Sequence, residues 1–551
     1  YWWLTPLVLA ALLALVTTLL VLAVPGRFAR FRVRLGFGIP IALGTLGVLL
    51  TFPAISPAAA ALLALAAGVR LAVWLSRHEA GFSRLARVTL PFLLLAPLLG
   101  GIVRHGRPWV RSLGLAAFGP RVEGPNVLLI ILDTVRAIEL GLYGGPSPSI
   151  SPNLDGFAAE GVVFDKAFSA APWTGPSHAS IFTGRRAAEL SIDWDRTLDG
   201  RFPTLAGELR RAGYATMGVV ANTRYAGAAT GLARGFDWYE DSRLTLEAAL
   251  LQPRLARQAV QTWRRLAGEP PVEPVPRISA QEVTRRFLTW AGRRPGRPYF
   301  AFLNYYDAHA PYTAPEPFWS RHLPGVAPEA LPGPPTLSPV MVMLRRRAYD
   351  AAIAYLDSEL GRLFEALTRG GMLENTLVIV TADHGEEFLE HGLMGHGQSL
   401  YTQAVRVPLV AVWPGRLPRG VRVAEPVSLE RLPATIFDLA GKHGAFAGPS
   451  LAGLWRGENP GLPPLAIHSS VSAMRRPTPD YPRRQGAIAS VQIGTRRYIE
   501  RSGDSVGQLF DHATDPAETR NLLASAGRID LKPWCDSLSL RRAPAGARTC
   551  R

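Results

Sequence analysis

Asn126-Val127-Leu128-Leu129-Ile130-Ile131-Leu132-Asp133 and Thr376-Leu377-Val378-Ile379-Val380-Thr381-Ala382-Asp383-His384-Gly385 are apolar runs that each stop abruptly at a carboxylate. Runs of this length, rich in β-branched residues, read as strands buried in a parallel sheet. Ligands of open α/β sheets collect beyond the carboxyl ends of the strands. Asp133, Asp383 and His384 are therefore expected to converge at one sheet edge. Between the runs lies Pro172-Trp173-Thr174-Gly175-Pro176-Ser177-His178-Ala179-Ser180-Ile181-Phe182-Thr183-Gly184. Ser177 to Phe182 reads as the first turns of a helix. Thr174 then sits just before a helix N-terminus, where the dipole and free N–H groups favour an anion.

Two carboxylates, an imidazole and a hydroxyl suit one divalent metal ion, and the donor mix admits calcium, manganese, magnesium or zinc. Threonine alone is a poor nucleophile. A coordinated cation lowers the cost of ionising its hydroxyl and polarises an anionic ester. The set points to cleavage of phosphoryl or sulfuryl esters through a covalent threonine intermediate. His309 lies in Asp307-Ala308-His309-Ala310-Pro311-Tyr312, directly after the apolar Tyr299 to Leu303. That is another strand end, from which an imidazole can serve a developing oxyanion or leaving group.

These segments resemble the sulfatase-like branch of the alkaline phosphatase superfamily. The resemblance continues through Ser151-Pro152-Asn153-Leu154-Asp155, Tyr355-Leu356-Asp357, Asp383-His384-Gly385-Glu386, Gly395-His396-Gly397 and Arg406-Val407-Pro408-Leu409. It closes with Leu509-Phe510-Asp511, Asp515-Pro516 and Asn521-Leu522, and spans roughly residues 125 to 525. It implies that Asp133, Thr174, Asp383 and His384 hold the metal. It also implies that His309 and His396 contact the transferred group and the leaving oxygen. A second metal on Asp307, His309 and His396, as in two-metal members of the superfamily, is the alternative use of those residues. His391 is read as structural.

The chain departs from that family at three points. Sulfatases carry a cysteine or serine in a C/S-x-P-x-R segment, oxidised to formylglycine; here the segment is Thr174-Gly175-Pro176-Ser177-His178. Threonine cannot yield that aldehyde, so no formylglycine is expected, and the pattern resembles the phosphodiesterase and phosphotransferase members. Thr134 stands where many sulfatases have a second aspartate, which removes one oxygen ligand. In Thr134-Val135-Arg136-Ala137-Ile138-Glu139, Ile138 replaces an aspartate of the family segment. Arg136 is a candidate either to bind substrate or to brace a loop.

The first hundred residues differ from the rest. Trp2 to Val24, Phe37 to Phe52, Pro57 to Leu75 and the shorter Val88 to Val103 are apolar stretches with almost no acidic residue. They are expected to form about four transmembrane helices. Arg27, Arg30, Arg32 and Arg34 mark the first loop, and Arg77, Arg84 and Arg87 the third, as cytoplasmic. The catalytic region is then extracytoplasmic, although Arg104, Arg107 and Arg111 pull mildly the other way. The chain starts at Tyr1 without an initiator methionine, which reads as a truncated start. The net charge of +17 is nearly all arginine, with lysine only at Lys166, Lys442 and Lys532. No zinc ribbon, helix-turn-helix or aromatic-basic interleaving supports a nucleic acid partner. An anionic ester substrate, lipid- or glycan-linked, and a membrane partner fit the charge. Cys535 and Cys550 are expected to form a disulfide.

The expected organisation is a transmembrane region over 1–104, a linker over 105–124, a catalytic α/β domain over 125–445 and a C-terminal subdomain over 446–551. The fold class is α/β: an alkaline-phosphatase-like parallel sheet flanked by helices, then a small antiparallel sheet. The expected function is a membrane-anchored, metal-dependent hydrolase or transferase using Thr174. Rival readings are an envelope transferase of phosphoglycerol or phosphoethanolamine type, and a non-catalytic scaffold that retains the fold.

Overall fold

The computed structural model describes residues 122–241 and 277–539, with short breaks at 146–147, 294–295, 329–330, 332–337, 459–464, 474–481, 503, 505–506 and 526–528, and a few helical residues between 63 and 73. Contacts divide the chain into two units, Tyr1–Leu113 with Arg243–Pro276, and Gly114–Ser242 with Arg277–Arg551. No helix among the described residues is long and apolar enough to cross a membrane. Of the four expected spans, only Pro57 to Leu75 is described in part, by the helical residues between 63 and 73; the other three, and nearly all of the expected linker, fall outside the described residues.

The second unit is built on an eight-stranded sheet. Its strands in chain order are β1 (Asn126–Leu132), β2 (Val162–Phe164), β3 (Ala215–Val220), β4 (Trp238–Glu240), β5 (Tyr299–Tyr305), β6 (Thr376–Thr381), β7 (Leu409–Val412) and β8 (Val421–Val423). Their spatial order is β8-β2-β7-β6-β1-β5-β3-β4. β6, β1, β5, β3 and β4 run parallel, in register from Asn126↔Thr376 to Ile131↔Thr381 at the centre. Both apolar runs quoted above are central strands, and Val127 to Ile131 and Leu377 to Val380 are fully buried.

One expectation needs correcting. The sheet is mixed rather than parallel, because β7 runs antiparallel to both β6 and β2. After β6 the chain stays at the carboxyl edge and re-enters the sheet after the small hairpin of Glu387–Phe388 with Met394–Gly395, the short helix Thr402–Val405 and the two-residue strand Arg406–Val407. A parallel return would need a crossover of a dozen or more residues down the sheet face.

Helices cover the sheet: α1 (Pro152–Ala158), α2 (Thr174–Thr183), α3 (Leu205–Arg211), α4 (Ala280–Gly292), α5 (Pro339–Arg369) and α6 (Leu432–Leu439). Ser338 caps α5, its side chain accepting from Met341 N–H. The family-like Ser-Pro-Asn-Leu-Asp and Tyr-Leu-Asp segments meet here. Asp357 of α5 accepts from Asn153 N (3.0 Å), Asn153 Nδ2 (2.8 Å) and Leu154 N (2.8 Å), the first-turn groups of α1. A Cβ at Gly361 would lie 2.5 Å from Asn153 Oδ1, so only glycine lets the two helices approach this closely.

The C-terminal sheet is antiparallel, as expected, in the order β9 (Ile467–Val471), β10 (Ile488–Ile493), β11 (Arg496–Arg501), β12 (Gln508–Asp511). Trp455, beyond the expected boundary at 445, still packs in the main core against Phe164 at 5.5 Å. β9 docks on the segment before α2, where Ser470 N donates to Ala170 O (2.9 Å) and Ser469 Oγ to Ser169 O (2.6 Å). Cys535 is disulfide-bonded; Cys550 lies outside the described residues.

Removing Asp357 strands the buried N–H groups at the head of α1. Asp357→Ala should lower stability by about 3 kcal/mol, with an exposed substitution such as Glu374→Ala as control. Denaturant unfolding checks this, and an unchanged midpoint would contradict it.

Candidate active site

Four adjacent strands deliver the site from their carboxyl ends. β1 ends at Asp133 and β6 at Asp383-His384. β5, which ends at Tyr305, carries Asn304 and leads to Asp307 and His309, and β3 leads to Asn222. Asp133, Asp383 and His384 are fully buried and offer one ligand atom each within 4.8 Å of one another. His384 Nε2 lies 3.4 Å from Asp383 Oδ2 and 3.9 Å from Asp133 Oδ1. Asp133 Oδ1 and Asp383 Oδ2 are buried without a hydrogen-bond partner. Buried carboxylate oxygens are costly unless something satisfies them. The set therefore fits a divalent cation.

The electrostatics agree with that fit. Burial, reinforced by Asp383, pushes the Asp133 carboxyl well above the usual carboxylate range. Burial also raises Asp383 to about 7, against hydrogen bonds from Thr134 and His384 N–H. Burial holds the His384 and His309 imidazoles well below the ordinary histidine value, and the neighbouring His396 adds to both shifts. Without a cation, burial favours the neutral forms of both acids and of these two histidines.

α2 begins at Thr174, buried behind an extended Trp173. Thr174 Oγ1 is 3.4 Å from His384 Nε2 and accepts from Asn222 Nδ2 at 3.2 Å. Asn222 Nδ2 also reaches Asp133 Oδ2 at 2.8 Å, and Asn222 N donates to Asn304 Oδ1 at 2.8 Å. His384 Nδ1 faces Gly385 O at 2.9 Å, which fixes the tautomer and leaves the Nε2 lone pair turned into the site. Gly385 is required because a Cβ there would lie 2.0 Å from Gln403 O. His178 follows one turn after Thr174. Its Nδ1 is 2.9 Å from Thr174 O and 3.4 Å from Asp383 Oδ2, and burial lowers it to about 4.

Thr134 turns back from the cluster. It adopts a left-handed φ of 64°, its N–H donates to Asp383 Oδ1 (3.2 Å), and its hydroxyl goes to Asp133 O (2.6 Å) and Ala308 O (3.0 Å). Strain of this kind persists only where the surroundings over-determine it.

His309 and His396 arrive beside the cluster. The His396 ring lies 4.5 Å from that of His384 and 4.9 Å from that of His309. His309 Nδ1 faces Ala310 O at 2.7 Å, and its ring stacks on Tyr306 at 4.3 Å. His396 sits between glycines with φ of 91° and 76°. Burial opposes its charge, but Glu386, 3.1 Å from Nδ1, carries it above the ordinary value. Asp307 turns to Ala280 N at 3.1 Å, and burial raises it to about 6.

Arg136 has a different setting. Its buried guanidinium pairs with Glu390 (2.6 Å) and Glu139 (3.4 Å) and donates to Glu386 O (3.2 Å). That is the geometry of a brace for the segment carrying Glu386. His391 stacks on Tyr401 at 3.7 Å. Asn222, Asn304 and Glu386 are additions to the residues proposed from sequence. The strand-end argument applied past Val220 would have reached Asn222.

Residues 125–442 match the sulfatase family, more than half of the chain. Choline-sulfatase of Rhizobium meliloti is 26% identical over 72% of this chain and 82% of its own length. Bovine arylsulfatase A is 28% identical over 60% and 67%. Among solved structures, phosphonate monoester hydrolase from Silicibacter pomeroyi has a TM-score of 0.56 at 25% identity, covering 73% of this chain and 91% of that one. BT4656 in complex with D-glucosamine-2-N,6-O-disulfate shares the fold, with a TM-score of 0.59 at 18% identity, covering 76% and 97%. With the buried Asp/Asp/His cluster at the strand ends, this match makes the chain a member of the sulfatase family, and a hydrolase of that family.

Proposed function

We propose that the protein is a membrane-anchored, metal-dependent hydrolase of phosphate or phosphonate esters, with Thr174 as its nucleophile. The observation that carries this reading is the setting of Thr174 Oγ1. It lies at the positive end of α2, 3.4 Å from His384 Nε2 and 3.2 Å from Asn222 Nδ2, beside both buried carboxylates. Phosphorus is favoured over sulfur because threonine cannot become the aldehyde hydrate from which sulfate departs by elimination. A choline-sulfatase and a phosphonate monoester hydrolase among the similar proteins bracket the ester classes. The anchor is supported by the four apolar stretches before residue 104.

Asp133, Asp383 and His384 would hold the cation, with Thr174 facing it. Bound there, a divalent ion stabilises the threonine alkoxide and neutralises charge on the transferred group. Asn222 donates to Thr174 Oγ1 and so orients its lone pairs and its proton. The Thr174 hydroxyl would give up its proton to solvent as the cation binds, and its oxygen then forms the bond to phosphorus as the ester oxygen departs and takes a proton from His396. Water then attacks phosphorus, freeing Thr174 and the anion. Glu386 holds His396 in its protonated form for the first of these steps.

Thr174→Ala should lower kcat by about 10³-fold or more, whereas Thr174→Ser should stay within about tenfold. Intact-mass analysis of protein quenched during turnover should show a phosphate-linked adduct on Thr174 that Thr174→Ala lacks. Turnover by Thr174→Ala at the parent rate would end the proposal. Product analysis in added glycerol tells water from an alcohol as acceptor.

Cation binding requires ionised Asp133 and Asp383, and burial raises both. Their protons must therefore leave when the cation binds, so affinity falls as pH drops below about 7. Manganese at about 100 times its Kd should stabilise the protein by about 3 kcal/mol at pH 8 and far less at pH 5. Asp133→Asn should abolish the effect. Thermal unfolding with and without chelator tests this, and a pH-independent gain would refute the site.

A further inference from the structure

Among the described residues of the second unit, four large apolar side chains are exposed: Ile138 (37%), Trp194 (39%), Val340 (60%) and Met343 (48%). All four sit at the carboxyl edge of the sheet, where the site opens. Trp194 stacks on Trp173, the residue before Thr174, and a Cβ on Gly397 would lie 3.7 Å from its ring. The other three gather around the head of α5.

The course of α5 explains that placement. Tyr349 Oη donates to Thr134 O (2.7 Å) and accepts from Arg136 N (3.0 Å), so Tyr349 marks the level at which β1 ends. The helix then runs down the sheet to Arg369, and β6 starts from the opposite edge at Thr376. Pro339–Arg347 therefore lie past the carboxyl edge, with Val342 and Leu344 half-buried against the core and Val340 and Met343 exposed on the outer face. None of these residues is buried; burial begins at Ala348. At 1.5 Å per residue the overhang reaches about 13 Å. It reads Pro-Val-Met-Val-Met-Leu-Arg-Arg-Arg, with Arg346 and Arg347 exposed. Arg346 pairs with Glu139 at 3.0 Å, which brings Ile138 beside the overhang.

An exposed apolar helix end carrying a run of arginines is unusual on a surface that meets only water. It has the chemistry of an element that lies in a membrane interface, with apolar side chains entering the headgroup boundary and arginines meeting anionic lipid. The described helical residues of the first unit likewise expose Leu63, Leu65, Val69 and Leu71. We infer that the head of α5, with Ile138, is a docking surface for an anionic bilayer, turning the mouth of the active site toward the lipid surface. This rests on the reading of the chain as a membrane-associated enzyme and adds the face it presents. The ester it favours is then one displayed at a bilayer surface, its leaving group or its acyl-bearing half held by the lipid phase.

The test uses the full chain in vesicles. An environment-sensitive fluorophore is placed at Met343→Cys or, as control, at Glu374→Cys, which is exposed at the opposite edge. Shallow nitroxide-labelled lipid in phosphatidylglycerol vesicles should quench the first probe about tenfold more than the second. Phosphatidylcholine alone, or Arg347→Glu combined with Val340→Asn, should remove most of that difference. The combined variant should leave thermal unfolding and turnover of a soluble aryl ester unchanged. Equal quenching at both positions overturns the docking face. So does a probe at 343 that is already shielded without lipid, which would mean that another protein surface covers it. Turnover that depends on Thr174 without quenching at 343 also overturns the docking face and leaves the threonine chemistry standing. Quenching at 343 without such turnover supports the docking face and counts against the chemistry.

Discussion

Two carboxylates that cannot both be comfortable as bare anions sit at the centre of this sheet. β1 and β6 are neighbours in register, so Asp133 and Asp383 leave the sheet side by side, and each keeps a buried oxygen without a hydrogen-bond partner. Like charges in a water-excluding site disfavour ionisation, and burial pushes both acids upward. Such an arrangement resolves by holding protons or by holding a cation. Much of the surrounding structure keeps the second option open. Thr134 adopts a left-handed backbone to present its N–H to Asp383, and Asn222 satisfies the other oxygen of Asp133. Neither partner brings a positive charge that would replace a metal.

The histidines divide by their partners. His384 and His309 each face a backbone carbonyl through Nδ1, which leaves Nε2 with a lone pair, and burial keeps both neutral. His396 faces a buried carboxylate and is held toward its charged form. One kind of imidazole suits a ligand or proton acceptor, the other a proton donor. Arg136 matters to this division indirectly. It holds Glu386 O and Glu390, and so fixes the segment that carries the partner of His396. The C-terminal sheet acts in the same indirect way, because β9 bonds Ser169 and Ala170 and thereby sets where the chain enters Trp173 and Thr174.

What was legible in the sequence was whatever local pattern determines. A β-branched apolar run that stops at aspartate reads as a strand end, and Ser177 to Phe182 reads as the first turns of a helix, which the structure starts earlier, at Thr174 itself. Those two rules place Asp133, Asp383, His384 and Thr174 at one sheet edge. The direction of β7 was not legible, because it depends on how the chain between Asp383 and Arg406 lies at the sheet edge. Asn222 was missed since it follows a small residue and carries no charge, and its three long-range hydrogen bonds single it out. The role of Arg136 turned on which carboxylates reach it from some 250 residues away, which spacing along the chain does not encode.

The threonine itself narrows the chemistry. An aldehyde hydrate releases its anion by eliminating through a second hydroxyl on the same carbon, whereas Thr174 offers one oxygen. An ester formed there must be broken by attack on its central atom, and in-line attack at phosphorus is an ordinary route. Asn222 bears on this requirement, because one amide donates both to Asp133 and to the Thr174 oxygen. With one lone pair of Oγ1 engaged by Asn222, the hydroxyl proton is directed away from the amide, toward His384 Nε2 or the neighbouring Asp383 carboxylate. In the cation-free cluster the side chain is thus held as a hydroxyl, and on the proposed mechanism a cation on those groups would take the place of its proton. On the proposed mechanism, departure of the product would return that same hydroxyl, and the cycle would need no modified residue.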